Sequence, residues 1–190
     1  MTGKKDLTEE QGKFLLSVAR KIIEEELFGQ KEQEQPDDLA PVFRERRGTF
    51  ATLTIDGNLR GCIGHIIPQE SLIEGIKVNA INAAFRDPRF PAMSQKEWDR
   101  VKIEISILTD PEPLSYKDAN DLLAKLRPGI DGVILGKGFY QATFLPQVWE
   151  QLPEKEEFLT HLCLKAGLRG DAWKKGDLEV STYQVQAFEE

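Results

Sequence analysis

From Thr49 to Ile55 the chain alternates, with Ala51, Leu53 and Ile55 on one face and Thr52 and Thr54 on the other. Asp56-Gly57-Asn58 then reverses it into a second apolar run. A period of two that stops at a tight turn and resumes is a β-hairpin, which commits this part of the sheet to antiparallel pairing. Residues 101–107 repeat the pattern, Val101, Ile103, Ile105 and Ile107 alternating with Lys102, Glu104 and Ser106, so that strand is buried on one face only. Residues 129–135 and 138–145 read as strands joined by a Gly-Lys-Gly turn, and 178–188 as a single terminal strand.

Helical segments are interleaved with these strands. Thr8 and Gln11 form a capping-box pattern ahead of Phe14, Leu15, Val18, Ile22 and Ile23, which predicts a helix over 8–28 stopped by Gly29. The polar stretch 29–41, with two prolines, is expected to be a mobile loop. Ser71 is placed to cap a second helix carrying Leu72, Ile73, Ile76, Ala80 and Ala83, which must end by Asp87 because Pro88 disfavours helical geometry before it. Shorter helices are predicted over 116–126 and 153–166, the latter closed by Gly167. Strands that come as hairpins among helices define an α+β fold, an antiparallel or mixed sheet with flanking helices, rather than a doubly wound parallel sheet.

The phase of the first hairpin decides which side chains of Leu59-Arg60-Gly61-Cys62-Ile63-Gly64 are available. A two-residue turn at Asp56-Gly57 would pair Leu53 with Arg60 and Ala51 with Cys62, mixing apolar and polar residues on one face. A three-residue loop over Asp56 to Asn58 instead pairs Ile55 with Leu59 and Ala51 with Ile63. That register leaves Thr52, Thr54, Arg60 and Cys62 together on the face away from the core of this sheet. Gly61 and Gly64 then allow another segment or a ligand to approach closely. A thiolate is the reactive form of cysteine, and a neighbouring cation favours it, which makes Cys62 a candidate nucleophile with Arg60 beside it. The alternative is a packed cysteine, since cysteine also behaves as a small buried hydrophobe.

A second unusual stretch is Phe85-Arg86-Asp87-Pro88-Arg89-Phe90-Pro91, three charges between aromatics in a loop stiffened by prolines. Arg86 and Arg89 have the chemistry to hold an anionic ligand, with Asp87 either in that site or tying an arginine down. The spacing does not assemble a metal site. Cys62 and His65 point to opposite faces of a regular strand, and His161 and Cys163 diverge on a helix. His161 facing Cys62 across the fold would be the thiol–histidine pairing of a nucleophilic site. Gly136-Lys137-Gly138 lacks the spaced first glycine and the following Ser or Thr of a phosphate loop. The residues point to no particular cofactor.

At 190 residues the chain can bury roughly 70% of its unfolded surface, enough for a sizeable core without disulfides or metals. One domain over 1–190 is the default. A net charge of −7 argues against general binding to a nucleic-acid backbone. No apolar run reaches the ~18 residues of a membrane span and the amino terminus lacks a signal-type apolar segment, so a cytoplasmic location is expected. Cys62 and Cys163 are far apart in sequence, and in a reducing compartment they are expected to stay unbridged.

The motifs LRGCIG at 59–64, AFRDPRFP at 84–91, VKIEISILT at 101–109, GVIL at 132–135, ATFLPQVW at 142–149 and LCLKAGL at 162–168 together resemble the AMMECR domain family, in the family's order and over most of the chain. Ala92 and His65 depart from the family's common residues. The resemblance implies an α+β fold of two unequal subdomains, the smaller inserted from the middle of the chain, with the LRGCIG stretch near a cleft between them. It implies partners as well, because prokaryotic relatives occur beside or fused to Memo-like proteins, related to extradiol dioxygenases, and radical S-adenosylmethionine proteins. It implies no established activity. Two readings stay open. One is an enzyme with Cys62 as nucleophile or thiol ligand, Arg60 and Arg86 orienting an anionic small molecule and Glu104 transferring a proton. The other is a non-catalytic binding or scaffold module using the same residues.

Overall fold

The computed structural model describes residues 6–29 and 40–190. Most of the expected loop 29–41 therefore lies outside the described residues. Two compact units divide the chain: Met1–Asp110 with Gln186–Glu190, and Pro111–Val185 between them.

In the first unit α1 (Glu9–Phe28) begins at the predicted capping box, where the Thr8 hydroxyl accepts from the Gln11 backbone N–H and the Gln11 side chain accepts from the Thr8 N–H. Gly29 ends it in the left-handed conformation, φ 69°. The hairpin β1 (Thr49–Ile55) and β2 (Asn58–His65) follows, then α2 (Leu72–Phe85) and β3 (Val101–Leu108). The sheet order is β2-β1-β3-β8, with β8 (Val185–Glu189) supplied by the chain's last segment. β1 runs antiparallel to both β2 and β3. Ala51, Leu53, Ile103 and Ile105 point from this sheet into a core shared with Leu15, Ile23, Ile76 and Ala80 of the two helices. Each fully buried Leu or Ile of this set contributes roughly 1.5–3 kcal/mol relative to exposure. The opposite face of the sheet is thereby left to the alternate residues Phe50, Thr52 and Thr54 and their neighbours across the strands.

The second unit contains β4 (Glu112–Pro113), α3 (Ala119–Lys125), β5 (Gly132–Lys137), β6 (Tyr140–Phe144), α4 (Lys155–Lys165) and β7 (Glu179–Tyr183), in the sheet order β4-β7-β5-β6. Leu122, Val133, Leu135, Phe158, Leu159, Leu162 and Cys163 form its core, with the Trp149 indole stacked on Phe158. Burial pushes the Tyr183 hydroxyl up to about 12, and that hydroxyl is shared with Thr143 and the Phe144 carbonyl. None of the described helices is long and apolar enough to cross a membrane.

Three local expectations are corrected. The terminal run 178–188 is two strands, β7 and β8, which belong to different sheets and meet at Gln184. The helix expected over 116–126 starts only at Ala119, because Asp118 takes the N-cap and accepts from the Asp121 N–H at 2.9 Å. The second hairpin turns at Gly138-Phe139, with Lys137 still in its strand opposite Tyr140.

Candidate functional site

The first hairpin is built by two devices. Asp56 and Gly57 both adopt positive φ, 51° and 77°, the pattern of a two-residue turn whose twist suits the flanking strands. The ladder therefore starts Ile55↔Asn58 and Thr54↔Leu59, and then slips between Leu53 and Thr54, so that Leu53 faces Gly61 and Arg60 is the extra residue. The three-residue loop and the Ile55–Leu59 pair expected from the face pattern are thus replaced by a tighter turn plus a bulge. The bulge restores Ala51↔Ile63, the pairing that keeps one face apolar.

That register sets a polar row across three strands. Thr52 lies opposite Cys62 on β2 and opposite Glu104 on β3, on the face turned away from α1 and α2. All three are half-buried. The Thr52 hydroxyl donates to the Cys62 sulfur at 3.3 Å, and Glu104 accepts from the Ser106 hydroxyl at 3.2 Å. The two glycines serve this arrangement from opposite sides. A Cβ at Gly61 would overlap the Ala83 carbonyl oxygen, so the missing side chain lets α2 lie directly on β2. A Cβ at Gly64 would enter the Phe50 ring, which lies across it in the next row.

Arg60 does not share the half-open surface of Cys62. It is 8% exposed, its Nε donates to Glu97 at 2.6 Å and its NH2 to the Pro91 carbonyl at 2.9 Å, while the buried NH1 has no hydrogen-bond partner. Glu97 also caps Ser94, accepting from its N–H and its hydroxyl at 2.8 Å. With the Arg60 guanidinium as the main cause, the Glu97 carboxyl is held down to about 2. Arg60 therefore ties the loop after α2 to the bulge, and its charge is already matched.

The charge that reaches Cys62 belongs to Arg89. Cys62 stands on β2, an edge strand, and its outward backbone groups are both taken by the loop 86–91. Its N–H donates to Asp87 Oδ2 at 2.9 Å, and its carbonyl accepts from Arg89 NH2 at 3.1 Å. Asp87, 3% exposed, also accepts from the Arg89 backbone N–H at 3.0 Å, Nε at 2.9 Å and NH2 at 2.6 Å. Arg89 and these N–H groups hold the Asp87 carboxyl well below the usual carboxylate range despite burial, and Asp87 in turn raises Arg89. The Asp–Arg pair thus occupies the place of a missing neighbour strand at the position of the thiol.

The remaining candidates have other settings. Arg86 is exposed and reaches only back along its helix, to Asn82 Oδ1 at 3.3 Å. His65 pairs with Glu70 at 3.0 Å. His161 is exposed on α4 in the second unit. Cys163, two residues on, is completely buried, and burial raises its thiol. Among the described residues no group of three or more His, Cys, Asp and Glu side chains is arranged to hold a metal ion. The sequence pattern places Thr52 on the face of Cys62 without giving it a role, and it does not single out Glu97. Ser94-x-x-Glu97 is legible as a capping box, whereas its link to Arg60 spans 37 positions.

Fold and site together define a two-unit α+β protein with a cross-strand thiol row backed by an Asp–Arg clamp whose aspartate is buried. The family model described as AMMECR1 matches residues 16–188, and the chain belongs to the AMMECR1 family. A protein of Methanothermobacter thermautotrophicus is 43% identical over 185 residues, covering 97% of this chain and 96% of the relative. A Methanosarcina barkeri protein is 45% identical over 188 residues, covering 97% and 92%. The crystal structure of the uncharacterized protein PH0010 from Pyrococcus horikoshii superposes with a TM-score of 0.87 at 39% identity, covering 97% of this chain and 93% of that one.

Proposed function

We propose that the row Cys62–Thr52–Glu104 is an enzyme-like thiol site that acts on a small molecule alongside Memo-like and radical S-adenosylmethionine partners in the cytoplasm. The observation that carries the reading is the setting of the sulfur: half-buried, in contact with a hydroxyl, with a guanidinium on the carbonyl of the same residue. In this reading Cys62 is the nucleophile or thiol ligand. Thr52 orients the sulfur, and Glu104, one strand beyond, is the proton-transfer group. Arg89 takes the part that sequence assigned to Arg60, whose charge is committed to Glu97.

The second reading, a binding module without chemistry, draws on the same clamp, since a rigid charged strand edge is also a docking surface. Reconstitution with Memo-like and radical S-adenosylmethionine proteins separates the two. Metabolites are followed by mass spectrometry and association by co-purification, for the natural chain and for Cys62→Ser. Loss of turnover with association retained is the expected result. Turnover that survives the substitution assigns the row to binding alone.

A further inference from the structure

Resting on that reading of Cys62, we infer that Arg89 is a preformed subsite for a compact oxyanion, a carboxylate or phosphate group, on the molecule that meets the thiol. The argument is a count of donors. A guanidinium has five N–H groups. Nε uses its one on Asp87 Oδ1, and NH2 uses its two on Asp87 Oδ2 and the Cys62 carbonyl. NH1 donates to no described residue, and the Arg89 side chain is 53% exposed. Two donors on a permanently charged group are therefore left open to solvent next to Cys62.

The other arginines of the neighbourhood are not equivalent. Arg60 has its spare NH1 sealed in the protein, where no ligand reaches it. Arg86 lies exposed along its own helix, held only by Asn82. Arg89 alone of the three is both held and open. Asp87 fixes two of its nitrogens and its backbone N–H, and the Phe90 ring flanks the guanidinium carbon at 5.5 Å. Little side-chain freedom remains to be lost when an anion docks. Asp87 is accordingly the positioning residue of the subsite, linking the backbone of Cys62 to the side chain that receives the ligand. Because Asp87 neutralises much of the local charge, the subsite selects by donor geometry and binds weakly on its own.

Two alkylating reagents test this, since iodoacetate carries a carboxylate and iodoacetamide does not. Each converts the thiolate to a thioether with loss of iodide, and peptide mass spectrometry reports modification at Cys62 in the full chain. The iodoacetate-to-iodoacetamide rate ratio at Cys62 is expected to exceed that of a free cysteine peptide by about tenfold, the low end of electrostatic guidance in a shaped site. Arg89→Gln should return the ratio to the peptide value; any loss of thiolate that follows removal of the guanidinium slows both reagents alike and cancels in the ratio. In the unsubstituted chain, where folding is not in question, inorganic phosphate and acetate are added separately at constant ionic strength. Either should slow iodoacetate while sparing iodoacetamide, and the stronger of the two identifies the preferred oxyanion. A ratio equal to the peptide's, unaffected by both anions, overturns the subsite and leaves the thiol reading standing. If iodoacetamide itself fails to modify Cys62 in the folded chain, the thiol reading falls instead.

Discussion

The chain has two thiols, one in each unit, and they occupy opposite physical settings. Cys163 projects from α4 into a core of Leu159, Leu162, Phe158 and Trp173, is completely buried, and has its thiol raised by desolvation. Cys62 lies on a sheet face between Thr52 and the strand edge, half-buried, with its backbone gripped by an ion pair. The first is explained completely by packing. For the second, packing alone is not the whole account, because its sulfur accepts from the Thr52 hydroxyl on a half-buried polar face.

The sharpest way to break this comparison is chemical labelling. Iodoacetamide should modify Cys62 in the native state and Cys163 only when its unit opens. For a domain of ordinary stability that makes Cys163 slower by roughly a thousandfold or more. Equal rates, read by peptide mass spectrometry, would erase the distinction.

A smaller effect is expected where the loop is fastened to the bulge. Glu97→Gln leaves the buried Arg60 charge without its carboxylate, and should cost about 2 kcal/mol at neutral pH, less than a fully sealed pair because the Glu97 side chain is 29% exposed. The Glu97 carboxyl titrates from its ordinary 4.5 down to about 2 in the folded chain. Its contribution is therefore complete above about pH 4.5 and disappears as pH falls towards 2. Urea unfolding across that range should show the two proteins converging in acid. A difference that stays constant with pH would mean that the pair is not the cause.

The smallest difference is one of polarity. Cys163→Ser places a hydroxyl in an apolar core and should lower stability by about 1–2 kcal/mol, whereas Cys62→Ser, already beside a hydroxyl, should stay within about 0.5 kcal/mol. Thermal unfolding of the two variants side by side measures the gap.

What could be read in advance follows the range of the interactions. The capping box of α1 and the core pairing of Ala51 with Ile63 are local or periodic, and each is present in the folded chain, whereas the one-sided alternation of β3 holds only as far as Ile105, because Ser106 on the other face is buried as well. The hairpin departs from the expected three-residue loop because two constraints, an Asp-Gly turn and an extra residue at Arg60, together imitate the register of a longer loop. The fate of Arg60 was hidden for a different reason. Its partner lies beyond a whole helix, so nothing near position 60 distinguishes a free guanidinium from a matched one. Asp87 and Arg89 are two residues apart, and their mutual attraction was visible as a possibility of local chemistry. Their grip on Cys62 was not, since it depends on β2 being an edge. The division of residues 178–188 between two sheets leaves no mark in composition either, because both halves are equally strand-like.

That division has a consequence for how the molecule comes into being. The second unit is one uninterrupted stretch of chain, all of which precedes the closing segment of the first unit, Gln186–Glu190. The first must wait, because its sheet gains a margin only when β8 arrives and the Glu190 carboxylate binds Arg20 and the Ile103 amide. The unit that begins first along the chain is thus completed by a strand that follows the unit nested within it.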